Sequence, residues 1–234
     1  VADITVDSDK QRIAEAFHLG TLDDMPLEAA PSYNIAPSTM QPVIRQNRDR
    51  RTRDGGDAIG HGAALRQVAC RVQRILHHQC KGRDLALAGN LAGSISPPAM
   101  PHPGGRFYEW KRLNEKTKQP YAFAMRSGEP FAFGGLWDGW KDPTTGDWLQ
   151  SFSIITTDPN ELTATVHNRM PVILKPSDYD RWLDRADAER PPVDLLRPYE
   201  AAEMTAHEVD PRVGNVRNDE PSLCNIWQCP PNPM

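Results

Sequence analysis

Apolar and polar positions alternate most regularly in the second half of the chain. Phe152, Ile154 and Thr156 alternate with Ser153, Ile155 and Thr157, which predicts a strand over 151–157 with one face better buried than the other. Similar short runs predict strands over 121–125 and 130–137, one over 41–45 after the extended segment 31–37, and a last one near 207–209. Helical spacing is rarer. Ser8 and Gln11 have the spacing of a capping box ahead of Ile13, Ala14 and Phe17, predicting an N-terminal helix before the acidic loop at Asp23-Asp24. Ser177 is placed to cap a helix carrying Tyr179, Trp182 and Leu183, and a further helix is expected after Pro198. Gly134-Gly135 reads as a strand irregularity, because no helix start or Lys-Ser/Thr follows it as a phosphate loop requires. Trp137 and Trp140 read as core residues. Strands dominate and the helices are short, so the expected class is α+β.

Between about Gly55 and Gly104 the periodicity stops. Arg51-Thr52-Arg53-Asp54-Gly55-Gly56 opens this stretch and Ser94-Ile95-Ser96-Pro97-Pro98-Ala99-Met100-Pro101 closes it. A disordered insertion or linker would account for the Gly, Pro and Arg. The Cys, Leu and His content fits that explanation poorly.

Composition narrows the class. With 234 residues and 26.2 kDa the chain is long enough for a real hydrophobic core, and 25% charged against 38% hydrophobic residues describes a soluble globular protein. A net charge of −4 and a pI near 6.0 argue against a grossly basic nucleic-acid binder but leave room for a local basic groove. The 22 prolines, about double the average share, imply many irregular connections. No run of about 18 apolar residues predicts a membrane span, and Val1-Ala2-Asp3-Ile4 does not begin a secretory signal. Cys70, Cys80, Cys224 and Cys229 lack the spacings of a zinc ribbon or a redox pair. A reduced cytosolic protein without metal or other cofactor is expected.

Chemistry-bearing residues gather in two segments, Gly105-Arg106-Phe107-Tyr108-Glu109-Trp110-Lys111 and Val166-His167-Asn168-Arg169-Met170-Pro171. Glu109 stands between two aromatics, which can raise a carboxyl pKa toward the range useful for proton transfer. His167 precedes Arg169 by two residues, so the segments read together as an acid–base pair beside an anion anchor. Plainer readings stand beside this one. Glu109 can be a strand-end carboxylate paired with an arginine, His167 an ordinary hydrogen-bonded histidine, Arg169 a salt-bridge partner, Trp110 a core residue and Asn34 a turn cap. From the residues alone, the plainer reading stands ahead for Glu109 and His167.

Five segments in order alter that balance. Tyr33-Asn34-Ile35-Ala36-Pro37, Phe107-Tyr108-Glu109-Trp110, His167-Asn168-Arg169-Met170-Pro171 and the closing Val216-Arg217-Asn218-Asp219-Glu220-Pro221-Ser222 are similar to motifs of the SOS-response-associated peptidase (SRAP) family. The fifth, Asn-Ala-Arg/Lys-Ala-Glu, is legible only in another frame. Arg74 through Asp84, read one base later with permitted codons, allows Gly-Phe-Ser-Thr-Ile-Asn-Ala-Lys-Ala-Glu-Thr. The same shift over Ile95 to Gly105 allows a sequence that runs straight into Phe-Tyr-Glu-Trp-Lys. The resemblance covers roughly 1–50 and 105–223, and the segment between reads as frame-shifted, hence aberrant or poorly ordered within one SRAP-like domain spanning 1–234.

The resemblance implies a strand-rich domain with mixed, barrel-like sheets, short peripheral helices and a positively charged groove. It implies a protein of the DNA-damage (SOS) response that binds single-stranded DNA and shields abasic sites. An N-terminal Cys freed by autoprocessing, the origin of the peptidase label, would condense through its α-amine and thiol with the lesion's aldehyde into a thiazolidine. Glu109 and His167 would be the catalytic residues, and Asn34, Trp110 and Arg169 would contact DNA. Trp110 would stack on a base and Arg169 would bind a phosphate. This sequence begins Val1-Ala2, so it presents no such nucleophile, and internal cysteines lack the α-amine. Little crosslinking is expected of this polypeptide. A monomer in the bacterial cytoplasm, nucleoid-associated when bound to DNA, completes the expectation. Rival readings are a non-catalytic module for single-stranded DNA, a conventional peptidase or hydrolase using Glu109 and His167, and a damaged gene's product.

Overall fold

The rings of Phe107 and Phe123 stack with centroids 4.9 Å apart and 11° between their planes, at the centre of a five-stranded sheet. The computed structural model describes residues 4–6, 15, 32–35, 40–46, 63–69, 102–183 and 192–227. In chain order its strands begin with β1 (Ile4–Val6), β2 (Ser32–Ile35), β3 (Met40–Gln46), β4 (Ala63–Ala69) and β5 (His102–Gly104). The hairpin β6 (Arg106–Arg112) and β7 (Lys118–Met125) follows, then β8 (Phe131–Phe133), β9 (Gly135–Lys141) and β10 (Trp148–Ile154). Four short strands complete the set: β11 (Thr156–Thr157), β12 (Met170–Pro171), β13 (Ile173–Leu174) and β14 (Met204–Glu208).

The large sheet has the order β14-β7-β6-β1-β2, which makes β6 its middle strand. Successive side chains of a strand point to opposite faces, and the β6 sequence divides accordingly. Phe107 joins Phe123, Met125, Met204 and Ile35 in the main core, where Phe133 meets Phe107 edge-on at 6.0 Å. Tyr108 and Ala122 bury the other face against Val209, Val213 and Leu223, with Trp110 packed at the margin. The segment after β14 therefore covers the second face, through 3-10 turns at Pro211–Gly214 and Pro221–Cys224.

The remaining described strands form a four-stranded sheet β3-β4-β10-β9, a three-stranded sheet β13-β8-β5 and the β11-β12 pair. The fold is α+β, as expected. The barrel-like arrangement is not what the described residues build, because each of their sheets is open. Within the stretch expected to be aberrant, residues 63–69 form β4, paired antiparallel to β3 and parallel to β10. The rest of 55–101 lies outside the described residues, as does the N-terminal capping box, near which Glu15 alone is described, as helical and exposed. Trp137 and Trp140 fall in β9, and the expected helix after Pro198 is a 3-10 turn, Ala201–Glu203.

Two further expectations need correction. The single strand over 151–157 breaks at Ile155, whose N–H donates to the Gly134 carbonyl (3.0 Å) and whose carbonyl accepts from Val172 (2.8 Å). The chain thereby leaves β9 for β12, which is why alternation alone did not reveal the break. Gly134 also separates β8 from β9, and a side chain there would press Trp182 at 3.0 Å. Ser177 is not a helix cap. It sits inside the 3-10 turn Pro176–Asp178, whose N-cap is Lys175, and the helix Tyr179–Leu183 continues from that turn.

Candidate functional site

Glu109 owes its position to the pleat of β6 and its burial to β6 being the middle strand; it is 7% exposed. Across the sheet it stands opposite Tyr121 of β7, which stands opposite Glu208 of β14. The Tyr121 hydroxyl donates to Glu208 at 2.7 Å, and the Lys111 ammonium lies 5.9 Å from the Tyr121 ring centroid. The hydrogen bond to Glu208 holds the Tyr121 phenol above its ordinary pKa, and burial and the carboxylate's charge add to the shift.

His167 arrives from the strap between β11 and β12. Asn160 caps the short helix Glu161–Ala164 by accepting from the Thr163 N–H at 2.8 Å, and its amide donates to the Tyr199 carbonyl at 2.8 Å. Thr163 returns its carbonyl to the N–H groups of Val166 and His167, both at 2.9 Å, which fixes the backbone on which the imidazole is mounted. The outcome is a His167 Nδ1 placed 3.9 Å from Glu109 Oε2. That is too long for a hydrogen bond but short enough for two charges to attract strongly.

The imidazole can hold either protonation state without turning. In the neutral ring Nδ1 accepts from the Arg169 N–H at 3.2 Å, which leaves the proton on Nε2. In the cation Nδ1–H has the Arg169 carbonyl at 3.2 Å and the Glu109 carboxylate beyond it. Glu109 and His167 share a cleft of about 410 Å³, lined also by Trp110, Val166, Asn168, Arg112 and Lys118. A buried acid, a half-exposed imidazole and two cations around one cleft suit proton transfer to and from an anionic substrate.

The other expected residues are distributed differently. Trp110 lines the cleft while packing, partly buried, on the second core cluster. Arg169 donates from Nη2 to the Thr156 carbonyl at 3.2 Å, with Nε and Nη1 shielded from solvent. Asn34 lies apart, on the face covered by the C-terminal segment. Its Nδ2 reaches the carbonyls of Val213 (2.9 Å), Asn215 (3.1 Å) and Asn218 (2.9 Å). Asp219 reciprocates by accepting from the Asn34 N–H at 3.1 Å and the Ser32 hydroxyl at 3.0 Å. Cys224 is buried on that face too, its Sγ 3.3 Å from the Tyr108 hydroxyl.

Sequence reasoning missed Arg112 and Lys118. The signal was the Asn114 turn between two strands: Asn114 Oδ1 accepts from the N–H groups of Lys116 and Thr117 at 2.9 and 2.8 Å, closing a hairpin that brings the two cations together. Among the described residues no group of three His, Cys, Asp or Glu could hold a metal ion, and no helix is long and apolar enough to cross a membrane.

The open-sheet α+β fold recurs in solved structures. A phage-related protein of Bordetella bronchiseptica superposes with a TM-score of 0.64 over 89% of this chain and 94% of that one, at 23% identity, which establishes likeness of fold. Residues 103–216 match the family model described as SOS response associated peptidase (SRAP). Abasic site processing protein YoaM of Bacillus subtilis is 39% identical over 208 residues, 84% of this chain and 85% of that protein. Abasic site processing protein YoqW of Bacillus subtilis is 42% identical over 122 residues, and there the chain spans only about half of its relative, 54%. The chain belongs to the SRAP family.

Proposed function

We propose that this protein processes abasic sites in single-stranded DNA as part of the DNA-damage (SOS) response, with Glu109 and His167 as its acid–base pair. The 3.9 Å approach of His167 Nδ1 to Glu109 Oε2 carries the reading. An opened abasic sugar presents an aldehyde, and opening it needs a proton delivered to the ring oxygen, the task assigned to His167. Condensation of an α-amine with that aldehyde expels water, which needs proton transfer at the carbinolamine, the task assigned to Glu109. A neighbouring thiol then adds across the C=N bond and leaves a thiazolidine. The described start of β1 favours this arrangement: Ile4 pairs with Phe107 and Thr5 with Arg106, so the strand's N-terminal end is the one nearer Glu109.

Trp110, which lines the cleft, is the residue assigned to stack on a base, and Arg169, two residues beyond the imidazole, is the one assigned to a phosphate. Autoproteolytic exposure of the N-terminal Cys and action as a cytoplasmic, nucleoid-bound monomer belong to the same proposal. The test is incubation with abasic single-stranded DNA followed by denaturing electrophoresis. The chain beginning at Val1 should give a salt-sensitive complex and no adduct. The same chain with Cys-Gly-Arg, the N-terminal motif that the SRAP resemblance implies, ahead of Val1 should give a denaturation-resistant adduct that an intact oligonucleotide does not form. No adduct with that extended chain, or equal adduct with intact DNA, overturns the reading.

A further inference from the structure

Arg112 and Lys118 are direct cross-strand partners at the end of the β6–β7 hairpin, and both line the Glu109–His167 cleft. Like charges directly opposite one another destabilise a strand pair. Here the repulsion is uncompensated within the described part of the molecule: neither cation has a carboxylate within ion-pair distance among the described residues. Several other described cations are matched, Arg212 with Asp210 and Glu220, Arg181 with Asp194, Lys175 with Glu200. The turn that forces the two cations together is rigidly closed, since Leu113 N–H also donates to the Thr117 carbonyl at 3.0 Å. Lys116 is exposed on the same turn.

We infer that Arg112 and Lys118 form a phosphodiester clamp, gripping the backbone of the single strand that enters the Glu109 cleft. The inference rests on the proposed function for the identity of that strand, and it names the residues that hold it. A phosphate between the two side chains converts their mutual repulsion into attraction, and the guanidinium can meet two phosphate oxygens at once. Neither residue reads a base, so the clamp is indifferent to sequence and positions whichever nucleotide follows.

The experiment measures affinity of the full chain for two oligonucleotides over a range of NaCl, one intact and one carrying a tetrahydrofuran abasic analogue. Variants are R112A, K118A, the double R112A/K118A and, as a control cation outside the cleft, R181A. For single strands the slope of log affinity against log salt is about −0.7 per phosphate contact, so the double variant should lose about 1.4 of slope on both oligonucleotides. Each single variant should lose about half of that, and R181A should match the parent. Retained far-ultraviolet circular dichroism excludes a folding effect, and charge reversal in R112E/K118E should weaken binding further. A double variant with the parent's slope and affinity overturns the clamp, whether or not the parent prefers abasic DNA. A parent that binds both oligonucleotides equally, with the slope lost in the double variant, leaves the clamp standing, and the abasic reading is then decided separately by the adduct that the Cys-extended chain does or does not form. A parent that binds neither oligonucleotide removes both.

Discussion

Glu109 and His167 face each other across the seam between the large sheet and the β11–β12 strap, with a carboxylate oxygen 3.9 Å from Nδ1. One partner is rigid because it stands on the middle strand of five. The other is rigid because the Asn160 cap and the Thr163 carbonyl hold its backbone. Removing either side chain therefore removes chemistry while leaving the frame in place.

On the chain carrying Cys-Gly-Arg ahead of Val1, Glu109→Gln and His167→Gln should each slow adduct formation by about 10²-fold, the lower range for a lost general acid or base. The double variant should be little slower than the worse single one, because the two groups act as a unit. Timed denaturing gels measure this. An unchanged rate in Glu109→Gln would remove the carboxylate from the mechanism.

Asn34→Ala should destabilise the fold by about 1–3 kcal/mol, since three backbone carbonyls of the 213–218 loop lose their amide donor and Asn34 is 4% exposed. Amide exchange should quicken across that loop, read by mass spectrometry after a denaturant titration. If stability and exchange both match the parent, the loop is held by Asp219 alone.

Alkaline stability should carry the mark of Tyr199. Burial, with a hydrogen bond to Glu203 and nearby carboxylates, pushes its phenol from 10.0 up to about 12, and the more deeply buried Tyr179 is also pushed up, chiefly by desolvation. The folded state thus keeps the Tyr199 proton more firmly than the unfolded chain does. Its contribution to stability is complete below pH 10 and is lost as pH rises through about 12. Phenolate absorbance should show Tyr199 ionising late, and Tyr199→Phe should remove that step and flatten the stability profile between those limits. Ionisation of all tyrosines near pH 10 would contradict this.

Local patterns were readable because they depend only on neighbours in the chain. The β7 run, the strand around 41–45 and the strand near 207–209 announced themselves as short strand-forming runs, and the residues around Glu109 and His167 announced themselves through their side-chain types. Breaks in those patterns were not readable. At Ile155 the polarity pattern continues while the hydrogen-bond partner changes, and partner choice depends on where Gly134 and Val172 have already been placed. At Ser177 a good capping residue loses its role because Pro176 has begun a tighter turn one residue earlier.

The chain by itself determined the strand-rich class, the residue types available for acid–base work and the likeness to the SRAP family, all properties of short contiguous segments. Tertiary structure alone decided which of those segments meet. It brought Glu109 to His167 and Arg112 to Lys118, and it put Asn34 on the opposite face of the sheet to clasp the 213–218 loop. The physical reason is that a period-2 strand fixes only that alternate residues share a face. Register across the hairpin and the order β14-β7-β6-β1-β2 are set by pairings between residues far apart in the chain.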